Sequence, residues 1–580
     1  MSEEIRADIL DRAAQGTLLH AIFNDYGRRW SEEEDATIAA LADLHNERAV
    51  DLLALITCES LEPFKGAVFF HGQHVYRELI SRLDAPAAAL LKVVDALFHA
   101  ADGDTAAAEP VDAFEKWCAL KPDRPAELLS LVDQDDPVAK RFLAIALVTG
   151  AAVNRRYFLE RTYDFLKSED EQHQRGAIHA LRQINLRTAA DWKRLLSAWE
   201  SLLSADPGDA IRAALLTAIA YKLKDVPDGR RQQLAALGII TAKSHGDQLL
   251  HWAARSLAFN LVHMPDELVE AILEALLSVS SSHGATIDTL DHALRKLLMQ
   301  GQTARARTFV AHLLRRDSDP IGMEHFDSLR HQLFQTTSQD LENWVVSWLL
   351  DGDFTLCRAM GDHLFSPSSD EYTLNIDFAR FDLRTCDYPY LARKVIGTFF
   401  SKPVLTTSLL VSLLRTAPKE AADDVINLLI DPIVISFPAG TAKVLELIAA
   451  DATDPAAVHA QRALEAASKY LEDLHSIGTV PELHPSERER QMERQRHTDA
   501  MTEAFREAQK KSILATITSV VMLYGNRSVS QIETPTAAPH RIETPLASFG
   551  HSIELPRVDI VDPVGLEETL IHFRQEQRPP

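Results

Sequence analysis

Arg141-Phe-Leu-Ala-Ile-Ala-Leu147, Arg175-Gly-Ala-Ile-His-Ala-Leu181, Arg212-Ala-Ala-Leu-Leu-Thr-Ala218 and Arg255-Ser-Leu-Ala-Phe-Asn-Leu261 share one local pattern. An apolar residue stands two places after each arginine (Leu143, Ala177, Ala214, Leu257) and another six places after it (Leu147, Leu181, Ala218, Leu261). Residues four apart lie on one face of a helix. The four arginines are separated by 34, 37 and 43 residues, and a weaker copy at Asp291-His-Ala-Leu-Arg295 follows 40 further on. Helical spacing inside a unit that recurs near every forty residues predicts stacked helix pairs, none of which buries its apolar face alone.

Working outward, Asp-Pro pairs recur at Asp136-Pro137, Asp206-Pro207, Asp319-Pro320, Asp431-Pro432 and Asp454-Pro455. Each reads as a helix opening: the carboxylate accepts free first-turn amides, and the proline has no amide to leave unsatisfied. With the arginines, these pairs make residues 130–480 resemble HEAT and armadillo repeats. The resemblance implies an all-α, right-handed α-solenoid whose concave face receives other molecules. It also implies that each recurring arginine stacks on the neighbouring unit or bonds to its turn carbonyls.

The bulk properties agree with that reading. At 580 residues the chain exceeds one ordinary core, and glycine is scarce. The formal charge of −24, from 84 acidic and 60 basic residues, opposes phosphate backbones and suits a basic protein partner. Cys58, Cys118, Cys357 and Cys386 are scattered, as reduced thiols would be. Met1-Ser-Glu-Glu-Ile-Arg6 lacks the features of a signal peptide, and the apolar run 513–523 is short for a membrane span. A soluble, cytoplasmic chain without membrane contact is expected.

Residues 1–133 read as irregular helices forming an amino-terminal cap, and 134–480 as the repeats. An insert at 366–392 breaks the rhythm, where Tyr372 to Phe378 alternates as a strand does. Trp344 and Trp348, four apart, read as core. Ser486 and Glu489 form a capping box that opens a long helix within 484–526, charged at first and then striped by Met501, Phe505, Ile513 and Ile517. That stripe must be covered by the solenoid itself, a second copy of the chain or a partner, and packing on its own solenoid is the ordinary outcome. Residues 527–580 read as an extended tail. Ile532-Glu-Thr-Pro535 recurs as Ile542-Glu-Thr-Pro545 and nearly as Ile553-Glu-Leu-Pro556, and a closing helix carries Leu566, Leu570 and Phe573 on one face. Such a tail is a tether along the protein or a linear motif for a groove.

Phosphate-loop, dinucleotide-binding, zinc-protease and nucleophile-elbow motifs are missing. One constellation could ligate zinc: His71, His74 and Glu78 on one helical face, with Cys58 nearby. Capping or exposed histidines are its commoner meaning, so neither metal nor cofactor is expected. The composition and repeats predict a non-catalytic scaffold or adaptor. It would bind a protein through its solenoid surface and through Met501, Phe505, Ile513, Ile517, Ile532, Ile542 and Ile553, with a homo-oligomer through the carboxy-terminal helix as one form of that contact. The alternatives are a regulatory or structural subunit of an enzyme complex and, against its charge, a HEAT-like nucleic-acid binder.

Overall fold

A computed structural model describes residues 2–26, 32–101, 108–244, 246–335, 338–365, 372–478, 485–510, 527–534, 537–545 and 554–580. The chain is an α-helical repeat protein. It divides into two compact units, Met1–Leu341 and Glu342–Pro580.

In the first unit the aligned segments form one layer. Helix Glu171–Gln183 packs between Leu143–Val153 and Asp209–Lys222, which in turn meets Asp247–Asn260, then Gly284–Met299, then Asp327–Gln335. Ala189–Ser204, Asp228–Ala242 and Asp266–Leu276 pack on one another as the second layer. The eight apolar positions read from the arginine register are all buried between the layers. In residues 1–133, read from the sequence as an irregular helical cap, helices also pack in alternation: Ala67–Ile80 on Glu109–Leu120, and Ala87–Ala100 on Arg124–Asp133. Their sequence is irregular while their packing is not, because a buried face tolerates many apolar residues of similar volume.

Helix ends are joined one repeat apart. After helices Ala67–Ile80, Glu171–Gln183 and Asp266–Leu276, the carbonyls of Leu83, Ile184 and Val279 accept from Trp117 Nε1 (2.9 Å), Lys222 Nζ (2.7 Å) and Arg316 (2.6 Å). In the opposite sense, Asp209 accepts the amides of Gln248 and Leu249, and Asp291 those of Ser328 and Leu329. All of these span 34 to 40 residues. They satisfy backbone groups that a helix leaves open at its termini.

The recurring arginines share no single role. Arg141 bridges back to Asp95 (2.7 Å), Arg212 bonds the carbonyl of Pro207 at the start of its own helix (3.0 Å), and Arg295 reaches forward to Gln332 (3.3 Å). Arg255 lies against Trp252 and Phe259 of its own helix. What recurs is the buried register beside the arginine, since an exposed long side chain takes whatever partner its turn offers.

The Asp-Pro pairs also divide. Asp136 caps as expected, accepting Val138 and Ala139 amides at 2.9 Å. Asp454 accepts the amide of Ala456 and is held by Arg415. Asp431 stands in extended backbone (φ −123°, ψ 113°) at a kink, where one helix ends and the next opens at Pro432, whereas Asp206 and Asp319 sit at positive φ.

In the second unit, Trp344 and Trp348 are core residues in edge contact, as expected. The insert alternates as the sequence predicts, with Leu374, Ile376 and Phe378 buried. Its described residues form no strand, because the amides of Leu374 and Ile376 donate to the hydroxyls of Ser408 and Ser412 on helix Pro403–Leu414 rather than to a second backbone. Cys118 and Cys357 are buried free thiols, each pushed up to about 11 by burial.

Lys222 tests the helix-end bonds. Its ammonium is buried, 2.7 Å from the carbonyl of Ile184, and burial pushes its pKa down to about 8. Lys222→Met keeps the stem but orphans that carbonyl, so urea unfolding at pH 7 should show a loss of about 1–3 kcal/mol. Above about pH 8 the unfolded chain still holds a lysine proton that the folded chain has released, up to the ordinary value of about 10.4, so the native protein gains stability as pH rises. The gap between native and variant chains should therefore widen from pH 7 to pH 10.

Candidate interaction arm and the docked tail

Helix Glu487–Lys510 opens as the capping box predicts: Glu489 accepts the Ser486 amide (2.8 Å) and Ser486 Oγ accepts the Glu489 amide (3.3 Å). Every described side chain along it is exposed, with Met501 at 63 % and Phe505 at 69 %. Packing on its own solenoid, the ordinary expectation for such a stripe, is not what the described residues show. Six acidic and six basic residues interleave along the helix, and Arg490 and Arg494 pair with Glu487 on the same surface. Local pairs of that kind support a helix in water with little help from a core. Ile513, Ile517 and Ile553 lie outside the described residues.

Beyond it, Arg527–Thr534 and Ala537–Pro545 pair antiparallel, with Ile532 opposite His540 and Ile542 opposite Ser530. The sequence predicts a single extended tail here. The two copies instead fall on paired strands without facing each other: Ile532 to Thr534 lie against 537–540, and Ile542 to Pro545 against 527–530. In the third copy, Glu554 receives the amides of Ala439 and Gly440 (2.9 and 2.6 Å) at the start of helix Pro438–Ala450.

The tail then docks within its own unit. Asp562 caps helix Pro563–Gln575 by accepting the Gly565 amide (3.0 Å), and its buried residues are the expected Leu566, Leu570 and Phe573. This helix packs on Asp387–Phe399. A Cβ at Gly397 would lie 3.1 Å from Arg574 N and Phe573 Cβ, so the missing side chain sets the close approach. Arg393 forks onto Glu576 (both bonds 2.7 Å), and Lys394 donates to the carbonyls of Gly352 and Arg574. Asp387, fully buried, takes both arms of Arg578 at 2.9 and 2.8 Å and a further bond from Arg384. Those guanidinium bonds, Arg578 first, hold its carboxyl far below the usual carboxylate range.

The proposed zinc constellation is not assembled. His74 Nε2 lies 3.1 Å from Glu34 Oε1, while Glu78 pairs with Arg77 at 3.0 Å. Among the described residues no group of three or more His, Cys, Asp or Glu side chains could hold a metal ion. In a surface hollow lined by His45, Asp51 and Asp84, His45 Nδ1 accepts the Leu52 amide and Asp84 is paired with Lys121. Among the described residues no helix is long and apolar enough to cross a membrane.

No family model matches this sequence, and no curated protein matches it. Among solved structures it is similar to an engineered protein from the Northeast Structural Genomics Consortium, at 19 % identity and a TM-score of 0.26 over 77 % of this chain and 99 % of that one. It is also similar to a circular tandem repeat protein with novel repeat topology and enhanced subunit contact surfaces, at 11 % identity and a TM-score of 0.16 over 82 % and 94 %. At those scores neither adds to the fold read from this chain's own packing.

Asp387 carries the tail prediction. Its carboxyl is ionised in the folded protein well below the ordinary value of about 3.9, so the docking it supports is present above that value and lost as pH falls below it. Asp387→Asn should speed hydrogen exchange across 563–575 by about 10- to 100-fold at pH 7, the size expected for lost charged hydrogen bonds. The native chain should show the same loosening only in acid.

Proposed function

We propose that this chain is a non-catalytic scaffold or adaptor that binds a separate protein through its solenoid surface and the arm that starts at helix Glu487–Lys510. The observation that carries this reading is the exposure of Met501 and Phe505 between two anchored segments. On one side, helix Ala457–Ser476 packs on Pro438–Ala450; on the other, the tail from Glu554 onward is capped, packed and ion-paired. An apolar pair on a helix held between fixed ends suits an anchor for a partner, since ordering the arm costs less when both ends are already restrained. The closing helix is already docked in its own unit, so the contact falls to the arm and not to 563–580.

The test is Met501→Glu combined with Phe505→Glu. The full-length chain, isolated from its native host, should retain a stoichiometric protein that the variant loses, while the unfolding midpoint stays within the ±0.5 kcal/mol or so of an ordinary surface change. Equal retention by both forms overturns the reading. A large drop in stability would show that the pair is covered by the chain itself.

A further inference from the structure

The two solenoid helices that flank Asp209–Lys222 carry an arrangement that the scaffold reading leaves unused. Arg182, near the end of Glu171–Gln183, holds its guanidinium 5.9 Å from the ring centre of Tyr221 on the next helix. The same ring takes Lys224 at 3.7 Å. On Asp247–Asn260, Arg255 sits 5.3 Å from both Trp252 and Phe259. Among the described residues neither Arg182 nor Arg255 has a carboxylate partner, in a chain where most arginines do. Burial pulls Arg182 below its usual range, and the nearby charge of Arg255, itself exposed to solvent, adds to that. His179 beside them is pushed down to about 4, by burial first and then by Arg182 and Arg175, and is neutral at pH 7. Phe259 is 68 % exposed and Val262 75 %, which adds an open apolar margin.

A half-buried cation without a counter-charge, as Arg182 is, costs free energy that folding does not recover, and an anion held between it and the exposed Arg255 would lower that cost. Guanidinium groups already laid on aromatic rings are also pre-oriented to fork onto carboxylates. We infer that the face formed by Arg182, Tyr221, Trp252, Arg255 and Phe259 is a docking site for an acidic peptide segment of a partner protein, with an apolar side chain of that segment against Phe259 and Val262. The chain's net charge of −24 favours basic partners at long range, and this face is a local exception to it. That same overall charge repels any anion, and it repels a polynucleotide, charged at every residue, more than a short segment carrying a few carboxylates. The inference rests on the scaffold reading for the solenoid surface but not on the arm.

The experiment is selection of random dodecapeptides displayed on phage against the intact chain, alongside Arg182→Ala/Arg255→Ala and the Met501→Glu/Phe505→Glu variant. Acid-rich peptides should be enriched on the native chain, bind the arginine variant at least about 10-fold more weakly, and bind the arm variant unchanged. Phe259→Ala, at an exposed position, should weaken them as well and stands in if the double variant fails to fold. No enrichment, an uncharged or basic pool, or a pool indifferent to Arg255 overturns the inference. Tighter retention of a twelve-residue oligothymidylate than of any selected peptide, lost in the arginine variant, overturns it in favour of nucleic acid. If the arm variant alone changes the selection, the face is not an independent site.

Discussion

Helix ends are the constraint on which this structure depends. A stack of short helices multiplies termini, each with amides or carbonyls that the helix itself cannot satisfy, and burying them unpaired costs about 1–3 kcal/mol apiece. The chain answers with side chains sent from one repeat away: Trp117 to Leu83, Lys222 to Ile184 and Arg316 to Val279 at carbonyl ends, Asp209 and Asp291 at amide ends. Such bonds tie neighbouring repeats in register as well as filling valences. The same device recurs in the second unit, where Lys394 reaches back to Gly352 and Lys402 to Gly361.

The carboxy-terminal segment extends that logic from repeat to tail. Glu554 serves the amides of Ala439 and Gly440 as Asp209 serves those of Gln248 and Leu249. Lys394 satisfies a solenoid carbonyl and a tail carbonyl at once, and Arg574 donates to Gly397. The closing helix packs against Asp387–Phe399, while helix Glu487–Lys510 stays exposed with Met501 and Phe505 uncovered by the described residues.

Charge works on two scales here. Across the chain, acidic residues outnumber basic ones by 24, which sets the long-range field. Locally most arginines are spent on carboxylates, as Arg393 on Glu576 and Arg415 on Asp454, and those contacts cancel at short range. Arg182 and Arg255 stand outside that bookkeeping, laid on Tyr221, Trp252 and Phe259 instead, and their field is the one a close ligand would meet.

The helical class, the repeat length, the buried register after each recurring arginine, the capping box of Ser486 and Glu489 and the face of the closing helix were legible in the sequence alone, because each depends on local spacing. The alternation through Leu374, Ile376 and Phe378 was legible too, but not its partner: serine hydroxyls thirty-odd residues away do the work of a second strand. The pairing of strand 527–534 with 537–545, the docking of 563–580, the pairing of His74 with Glu34 and the meeting of Arg182 with Tyr221 were decided by tertiary structure. Local pattern states which face of an element is apolar and how it begins. Which distant surface that face meets, and which charges are left without a partner, depends on packing between residues that no short-range rule connects.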